Sequence, residues 1–370
     1  MKILHLLDSM GRGGTETQVL DVCRNAARFG LDITLVAASG GVLEPDFRES
    51  GVEVIRLERK LPVDLYLASQ LRRIIRERRI EIARGYQAVE GLHLYLATRG
   101  LKNVRTALSH EGFVADKKNR VTLKFLIPRV DSNIYVSESL RKWLKQKDKL
   151  NTDIKQTVIF NGADPERLRG SGRSIRRELG IGADAPLIGM IANFYRDPRK
   201  DHFTLARSLP EVMTALPEAH CIFAGGIQDG AEDKMAECLD ICLKNGIEQR
   251  VHFLGTRGDI PDILSELDVF VLSSLQEGMP VAISEAMLVG VPLVLSDIEP
   301  HLEASQNGKY ASVFPTGDAD ALSSELIRLL SDKNVRNEMS VRAKAFAQEN
   351  MSIDSHLRQL AAHYRSMIDA

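Results

Sequence analysis

Short apolar runs alternate along this chain with longer stretches in which apolar residues recur at every third or fourth position. The first pattern marks buried strands and the second marks amphipathic helices. In the first half, strands are predicted at Lys2–Leu7, Asp32–Ala37, Val52–Leu57, Arg79–Ala83, Val104–Leu108, Ser132–Val136 and Val158–Phe160. Helices are predicted over Gly14–Phe29, from Val63 to Arg78 and from Ser137 onward. Strands alternating with helices imply a parallel, doubly wound sheet. The periodicity then stops. Asn161–Ser174 holds turn formers and charge without an apolar rhythm, which places a domain boundary there. It resumes with strands at Leu187–Ala192, His220–Ala224, Val251–Leu254, Val269–Leu272, Pro292–Ser296 and Ala311–Phe314, and closes with helices over Asp318–Asp332, Asn334–Glu349 and Ile353–Ile368. The pattern predicts α/β domains at 1–165 and 175–350, with the final helix in 351–370 packing back toward the first. Open parallel sheets bind ligands beyond the carboxyl ends of their strands, so a cleft between two such domains is the expected binding place.

Composition narrows the class. The 370 residues are 44% hydrophobic and 27% charged, as in a globular protein. The net charge of −1 conceals a polarity: residues 1–160 carry 28 Lys and Arg against 19 Asp and Glu, while the remainder carries 21 against 31. A basic first half favours anionic partners. The basic run at residues 72–79 and the stretch from Lys117 to Lys155 read either as solvated helix faces or as contacts to an anionic membrane surface or a lipid-linked phosphate acceptor. Nucleic acid is excluded as a partner, because aromatics are only 5% of the chain and are not interleaved with the basic clusters. Cys23, Cys221, Cys238 and Cys242 lack disulfide or metal-ligand spacing and are expected to be buried apolar groups. No apolar run approaches the roughly 20 residues that span a bilayer, and no secretory signal opens the chain. A cytoplasmic protein is expected, with peripheral attachment to the inner face of the plasma membrane left open.

The densest chemical signal is the segment Ser273–Met287. A buried strand enters a small polar loop, and Pro280 then fits the first position of a helix, where its missing N–H removes no bond. The amides of Gly278, Met279 and their neighbours would face outward, and such a helix start binds phosphate. Glu277 and Glu285 add two carboxylates at different depths, which suit hydroxyl donors rather than a bare anion. Amides for phosphate and acids for hydroxyls together describe a nucleotide sugar.

Glu277, seven residues and then Glu285 resembles the paired-glutamate signature of glycosyltransferase family 4, and the flanking Leu267–Leu272 and Ala286–Val294 fit it as well. The resemblance implies a GT-B fold, with two Rossmann-like domains facing a central cleft, and a retaining enzyme. Gly11–Glu16 matches the family's glycine-rich loop, with Gly13 and Gly14 admitting a sugar or diphosphate close to the backbone. A dinucleotide site is the poorer reading, since the second strand ends in Ala37-Ala38-Ser39-Gly40 without an acid for a ribose. After the first strand of the second domain the family carries an arginine and a lysine on the donor diphosphate. Lys200 matches the lysine, and either Arg196 or, because this loop is about two residues long, Arg199 matches the arginine. His110, following the strand at Val104–Leu108, matches a histidine beside the transferred sugar. Glu303 stands where relatives bind phosphate or sugar, but Glu299-Pro300 replaces their glycine pair.

The resemblance thus implies transfer of a hexosyl or N-acetylhexosaminyl group from a UDP- or GDP-sugar to a sugar, lipid-linked or small-molecule hydroxyl, in bacterial polysaccharide, lipopolysaccharide or glycolipid synthesis. No cofactor or metal is expected: Asp318 and Asp320 in Gly317–Asp320 read as a helix start rather than as a metal site. The expected roles are Glu285 on the ribose, Arg196 and Lys200 on the diphosphate, and Glu277 with the Gly278 and Met279 amides on the sugar. An epimerase or phosphorylase on the same fold, and a non-catalytic subunit of a transferase complex, are the competing readings.

Overall fold

The computed structural model describes residues 1–114 and 116–369. The chain forms two compact units, Met1–Ala163 together with the helix Ile353–Asp369, and Asp164–Ser352. Ala163 lies inside the turn-rich segment that interrupts the apolar pattern.

The first unit carries seven strands: β1 (Lys2–Leu7), β2 (Asp32–Ala37), β3 (Glu53–Arg56), β4 (Ile82–Tyr86), β5 (Arg105–His110), β6 (Ser132–Tyr135) and β7 (Gln156–Val158). Their order is β3-β2-β1-β4-β5-β6-β7, with every pair parallel. Connections leave β1 toward one edge and β4 toward the other, so the switch point lies between β1 and β4. Three predicted strands move, the one placed at Val158–Phe160 being β7, two residues earlier. The strand placed at Arg79–Ala83 is β4, three residues later, because Arg79 ends the helix Leu65–Arg78 in a left-handed conformation with φ 54°. Its polar residues Arg84 and Gly85 hid it from an apolar pattern. The strand placed at Val104–Leu108 runs on to His110.

One core cluster packs Ile3, Val19, Val22, Leu35 and Phe47 against Ile353, Leu357, Leu360 and Tyr364 of the final helix. Each large apolar side chain so buried contributes about 1.5–3 kcal/mol. Arg105 Nε also donates to Met367 O at 3.0 Å, and Ser132 Oγ pairs with His363 Nε2 at 2.7 Å. On the other face, the helix Gln87–Thr98, which the apolar pattern did not single out, follows β4 without a loop. Two glycines allow this tight turn. A Cβ on Gly85 would stand 2.9 Å from Gly91 N, and one on Gly91 would meet the Leu108 side chain at 2.6 Å.

The second unit carries β8 (Leu187–Ile191), β9 (His220–Ala224), β10 (Val251–Gly255), β11 (Val269–Leu272), β12 (Leu293–Ser296) and β13 (Ser312–Phe314), in the order β10-β9-β8-β11-β12-β13 and again all parallel. The strands β11 and β12 are buried throughout and read as continuous apolar runs, as helices on both faces require. The helix Val281–Val289 is apolar on nearly every side and stops at Gly290, whose φ of 96° only glycine adopts readily. All four cysteines are buried and free.

Candidate active site

In the second unit the switch point lies between β8 and β11, and the loops leaving these strands are joined by backbone bonds. Asp201 N donates to Ser273 O at 3.0 Å, Leu275 N donates to Arg199 O at 2.9 Å, and Lys200 bridges Ser274 in antiparallel fashion. That pairing lays the Lys200 ammonium on the Glu277 carboxylate across 77 residues of sequence. Ser274 Oγ donates to the same carboxylate at 2.9 Å. The pair is largely enclosed, with side-chain exposures of 13% and 11%, so each charge depends on the other.

The two arginines of the β8 loop differ in their partners. Arg199 is held in a fork on its own near neighbour, Asp197, at 2.6 and 2.7 Å, and lies over the Tyr195 ring. This fork depresses the Asp197 carboxyl below its usual range. Arg196 is exposed and donates through Nε to the neutral carbonyl of Asp229. Among the described residues no carboxylate pairs with it, so its charge stays available.

Glu285 sits in the second turn of the helix Val281–Val289 and accepts from Arg167 Nη2 at 2.7 Å. Arg167 was not anticipated: it lies in the turn-rich segment, where no pattern marks it. Pro280 occupies the capping position rather than the first helical one expected of it, with φ −72° and ψ 118°. It still starts the helix, and as a proline it brings no capping side chain of its own. Met279 beside it is buried. A second unanticipated residue is His301, fully buried after β12. Its Nδ1 donates to Ser296 O at 3.0 Å, and Ser296 Oγ bonds both Ser274 N and Ser274 O. Burial, aided by the Lys200 charge and opposed by the Glu277 carboxylate, moves the imidazole down to about 4, so it is neutral and its buried Nε2 is an unpaired acceptor.

In the first unit, Gly13 is the cap residue of the helix Gly14–Asn25, again with no capping side chain. A Cβ on Gly13 would meet Glu16 Oε2 at 2.5 Å, so the glycine lets Glu16 fold back over the loop. His110, expected beside the transferred sugar, is 1% exposed. Because β5 runs longer than expected, its ring is buried within the sheet end and stacks on Tyr135 with centroids 4.4 Å apart. Asn133 donates to the carbonyls of Ile127 and Ile154, which turns its Oδ1 toward His110 Nε2 at 3.2 Å. Burial lowers the His110 pKa to about 4. The ring is neutral, with Nε2 held by Asn133 and the buried Nδ1 without a hydrogen-bond partner. Asp318 caps the helix Ala319–Ser331 through Asp320 N and Ala321 N, and among the described residues no group of three or more His, Cys, Asp or Glu could hold a metal ion.

Two family models divide the chain between them. Residues 12–167 match the model described as Glycosyltransferase Family 4, and residues 172–346 match Glycosyl transferases group 1. The chain belongs to glycosyltransferase family 4. It is 25% identical over 316 residues to N-acetyl-alpha-D-glucosaminyl L-malate synthase of Bacillus anthracis, covering 83% of this chain and 80% of the relative. It is 24% identical over 354 residues to the UDP-Gal:alpha-D-GlcNAc-diphosphoundecaprenol alpha-1,3-galactosyltransferase of Escherichia coli, covering 91% and 90%. Among solved structures it resembles Anabaena HepE in complex with UDP, with a TM-score of 0.85, 20% identity and coverage of 99% and 100%. This family 4 glycosyltransferase therefore has the GT-B fold and its relatives act in bacterial polysaccharide and glycolipid synthesis. Glu277 and Glu285, Lys200 and the helix start at Pro280 lie in the residues matched by the second model.

Proposed function

We propose that this glycosyltransferase moves a hexosyl or N-acetylhexosaminyl group, with retention of configuration, from a nucleotide-diphospho-sugar to a hydroxyl of a bacterial glycan or glycolipid precursor. The observation that carries this reading is the enclosed Lys200–Glu277 pair beside the helix start at Pro280. The lysine meets a diphosphate, the carboxylate accepts from sugar hydroxyls, and the helix start favours the anion between them. Arg196, with its charge uncompensated, joins Lys200 in stabilising negative charge on the departing diphosphate. Glu285, held by Arg167, accepts from the ribose hydroxyls, while Glu277 and the backbone of Gly278 and Met279 orient the transferred sugar. Uridine is the favoured base, supported by the UDP of the HepE complex and the UDP-galactose donor of the Escherichia coli relative. In the retaining reaction the acceptor oxygen bonds to C1 on the face that the phosphate leaves, the C1–phosphate bond breaks, and the acceptor proton passes to a phosphate oxygen. No covalent intermediate on the protein and no metal is needed. The first unit supplies the acceptor side.

A peripheral membrane contact is the accompanying reading. No helix among the described residues is long and apolar enough to cross a membrane. Leu61, Val63, Leu65 and Tyr66, and with them Val121 and Phe125, are nevertheless exposed apolar side chains. They lie on two segments flanking the helix Gln87–Thr98, interspersed with the exposed Lys60, Lys117, Lys118 and Lys124. Apolar wedges among basic residues suit an anionic bilayer surface. Co-sedimentation with phosphatidylglycerol vesicles but not phosphatidylcholine vesicles is the expected result, and binding lost in Leu65→Glu would locate it.

The donor assignment is tested by a thermal-shift panel of UDP, GDP and their sugars. A ligand bound only by the native state raises the melting temperature by mass action. UDP or a UDP-sugar is expected to raise it, and the transferred product should keep the anomeric configuration of the donor. An inverted product, or no shift with any nucleotide, would refute the proposal.

A further inference from the structure

The first unit holds an ionisable group that the donor chemistry does not use. Glu90 lies in the first turns of the helix Gln87–Thr98, directly beyond β4 at the β1–β4 switch point. It is 8% exposed, and its buried Oε2 has no hydrogen-bond partner. A buried carboxyl oxygen left without a partner is costly, and the structure holds it there by unusual means. Gln87, at the turn, has φ 69°, a left-handed conformation that a residue with a side chain adopts at a penalty. Gly85 and Gly91 permit the close approach of helix and strand that sets Glu90 over the sheet end.

The groups electrostatically coupled to Glu90 come from other elements of the same unit. They are Asp8 after β1, Arg59 after β3, and Glu16 in the first turn of the helix Gly14–Asn25. Arg59 is already committed to Asp8, donating from Nη2 at 2.8 Å and from Nε at 3.2 Å. Glu16 accepts from Ser9 Oγ at 3.5 Å across the glycine loop. Burial first, and then Asp8 and Glu16, raise the Glu90 carboxyl to about 8, against the opposing effects of its own backbone amide and of Arg59. At neutral pH it is mostly protonated, with one hydrogen to donate and an oxygen to accept. The locality thus offers carboxylate acceptors at Asp8 and Glu16 and a donor and acceptor at Glu90, with Arg59 already committed to Asp8. A group with several neighbouring hydroxyls would find a partner at each position, whereas an anion there would meet the two carboxylates.

We propose that Glu90, Glu16 and Asp8, under the glycine loop, form an acceptor subsite that takes the hydroxyls of an uncharged sugar. This rests on the transferase reading above and extends it: the acceptor is a neutral saccharide at the end that meets the first unit, with any phosphate or carboxylate lying elsewhere along it. Glu90 is a binding and specificity residue here and takes no part in bond making.

The test uses the full chain, as wild type, Glu90→Gln, Glu90→Ala and Glu16→Ala, in the presence of saturating UDP. The probes are neutral methyl hexosides, methyl N-acetylglucosaminide and inorganic phosphate, with binding read by saturation-transfer NMR. At least one neutral glycoside should bind wild type and Glu90→Gln, whose amide keeps a donor and an acceptor. It should bind roughly tenfold more weakly to Glu90→Ala, as expected when a buried hydrogen bond is left unmade. The partly exposed Glu16→Ala should also weaken it, and this variant keeps the test alive if Glu90→Ala does not fold. With a turnover assay, the same loss should appear in the acceptor KM rather than in kcat. Equal glycoside binding by wild type and both alanine variants, binding of phosphate in place of glycosides, or no glycoside binding by wild type would each overturn the subsite. Failure of wild type to bind UDP would instead strike the donor reading, which the glycoside measurement without UDP keeps separate.

Discussion

The two switch points of this molecule solve one problem in opposite ways. Beyond β8 and β11, opposite charges are brought together: Lys200 on Glu277, Arg167 on Glu285, Arg199 on Asp197. Beyond β1 and β4, polar groups are buried with few charge partners. Glu90 stands protonated, and Arg84, fully buried, donates to Ser109 Oγ at 2.7 Å with the Glu111 carboxylate 3.8 Å away. His5 lies between Tyr86 and Tyr364 at 3.2 and 3.4 Å and is kept neutral chiefly by burial. The lesson concerns the ligand each end can receive. Paired charges can exchange partners with a charged ligand at little net change in charge, which suits a diphosphate. A locality of hydroxyl-matching acids suits the hydroxyls of a sugar better than a diphosphate.

The largest expected effect comes from breaking the charge pairing. Lys200→Ala should lower kcat about 10²–10³-fold, the usual consequence of losing one group that stabilises charge on the departing oxygen. Steady-state kinetics on a variant with unchanged circular dichroism would check this, and near-wild-type turnover would remove Lys200 from the site. The next effect belongs to the other end. The Glu90 pKa is raised in the folded state, so the stability it contributes is present at low pH and is lost as pH rises from about 4.5 through about 8. Glu90→Gln should flatten that loss. Urea denaturation at several pH values should show the variant gaining on wild type by up to about 1.4 kcal/mol per pH unit within the window. Parallel curves would mean that Glu90 is ionised and paired after all.

A smaller effect separates the two arginines. Arg196→Ala should lower kcat/KM for the donor roughly tenfold, whereas Arg199→Ala, already neutralised by Asp197, should change it less than about threefold. The reverse order would make Arg199 the diphosphate ligand. The smallest is Arg167→Ala, which leaves Glu285 in place but unheld. UDP affinity, measured by calorimetry, should fall about fivefold, and UMP affinity by the same factor because both carry the ribose. Unchanged affinity would show that Glu285 needs no support.

Much of the donor end was legible because its residues are contiguous or nearly so. Glu277, Pro280 and Glu285 share one strand–loop–helix segment, and Lys200 follows the first strand of its unit. Two features stayed hidden. Arg167 reaches Glu285 across 118 residues from a stretch without periodicity. His301 looked like an ordinary helix residue, since nothing in its neighbours reports the Ser274–Ser296 bonds that hold it. The first unit was harder to read: β5 runs two residues further than the apolar run, which encloses His110, and β4 was shifted because Arg84, Gly85 and Tyr86 break the apolar run.

The sequence by itself determined the two doubly wound units, the interruption near Ala163 and the family, because these rest on local periodicity and on motifs read within one segment. The tertiary structure alone decided which charges are compensated and which polar groups are enclosed. Burial and pairing depend on what the rest of the chain lays against a side chain. That is why Lys200 and Glu277 form a pair, His110 becomes a core residue, and an unremarkable Glu90 becomes a protonated acid at the switch point.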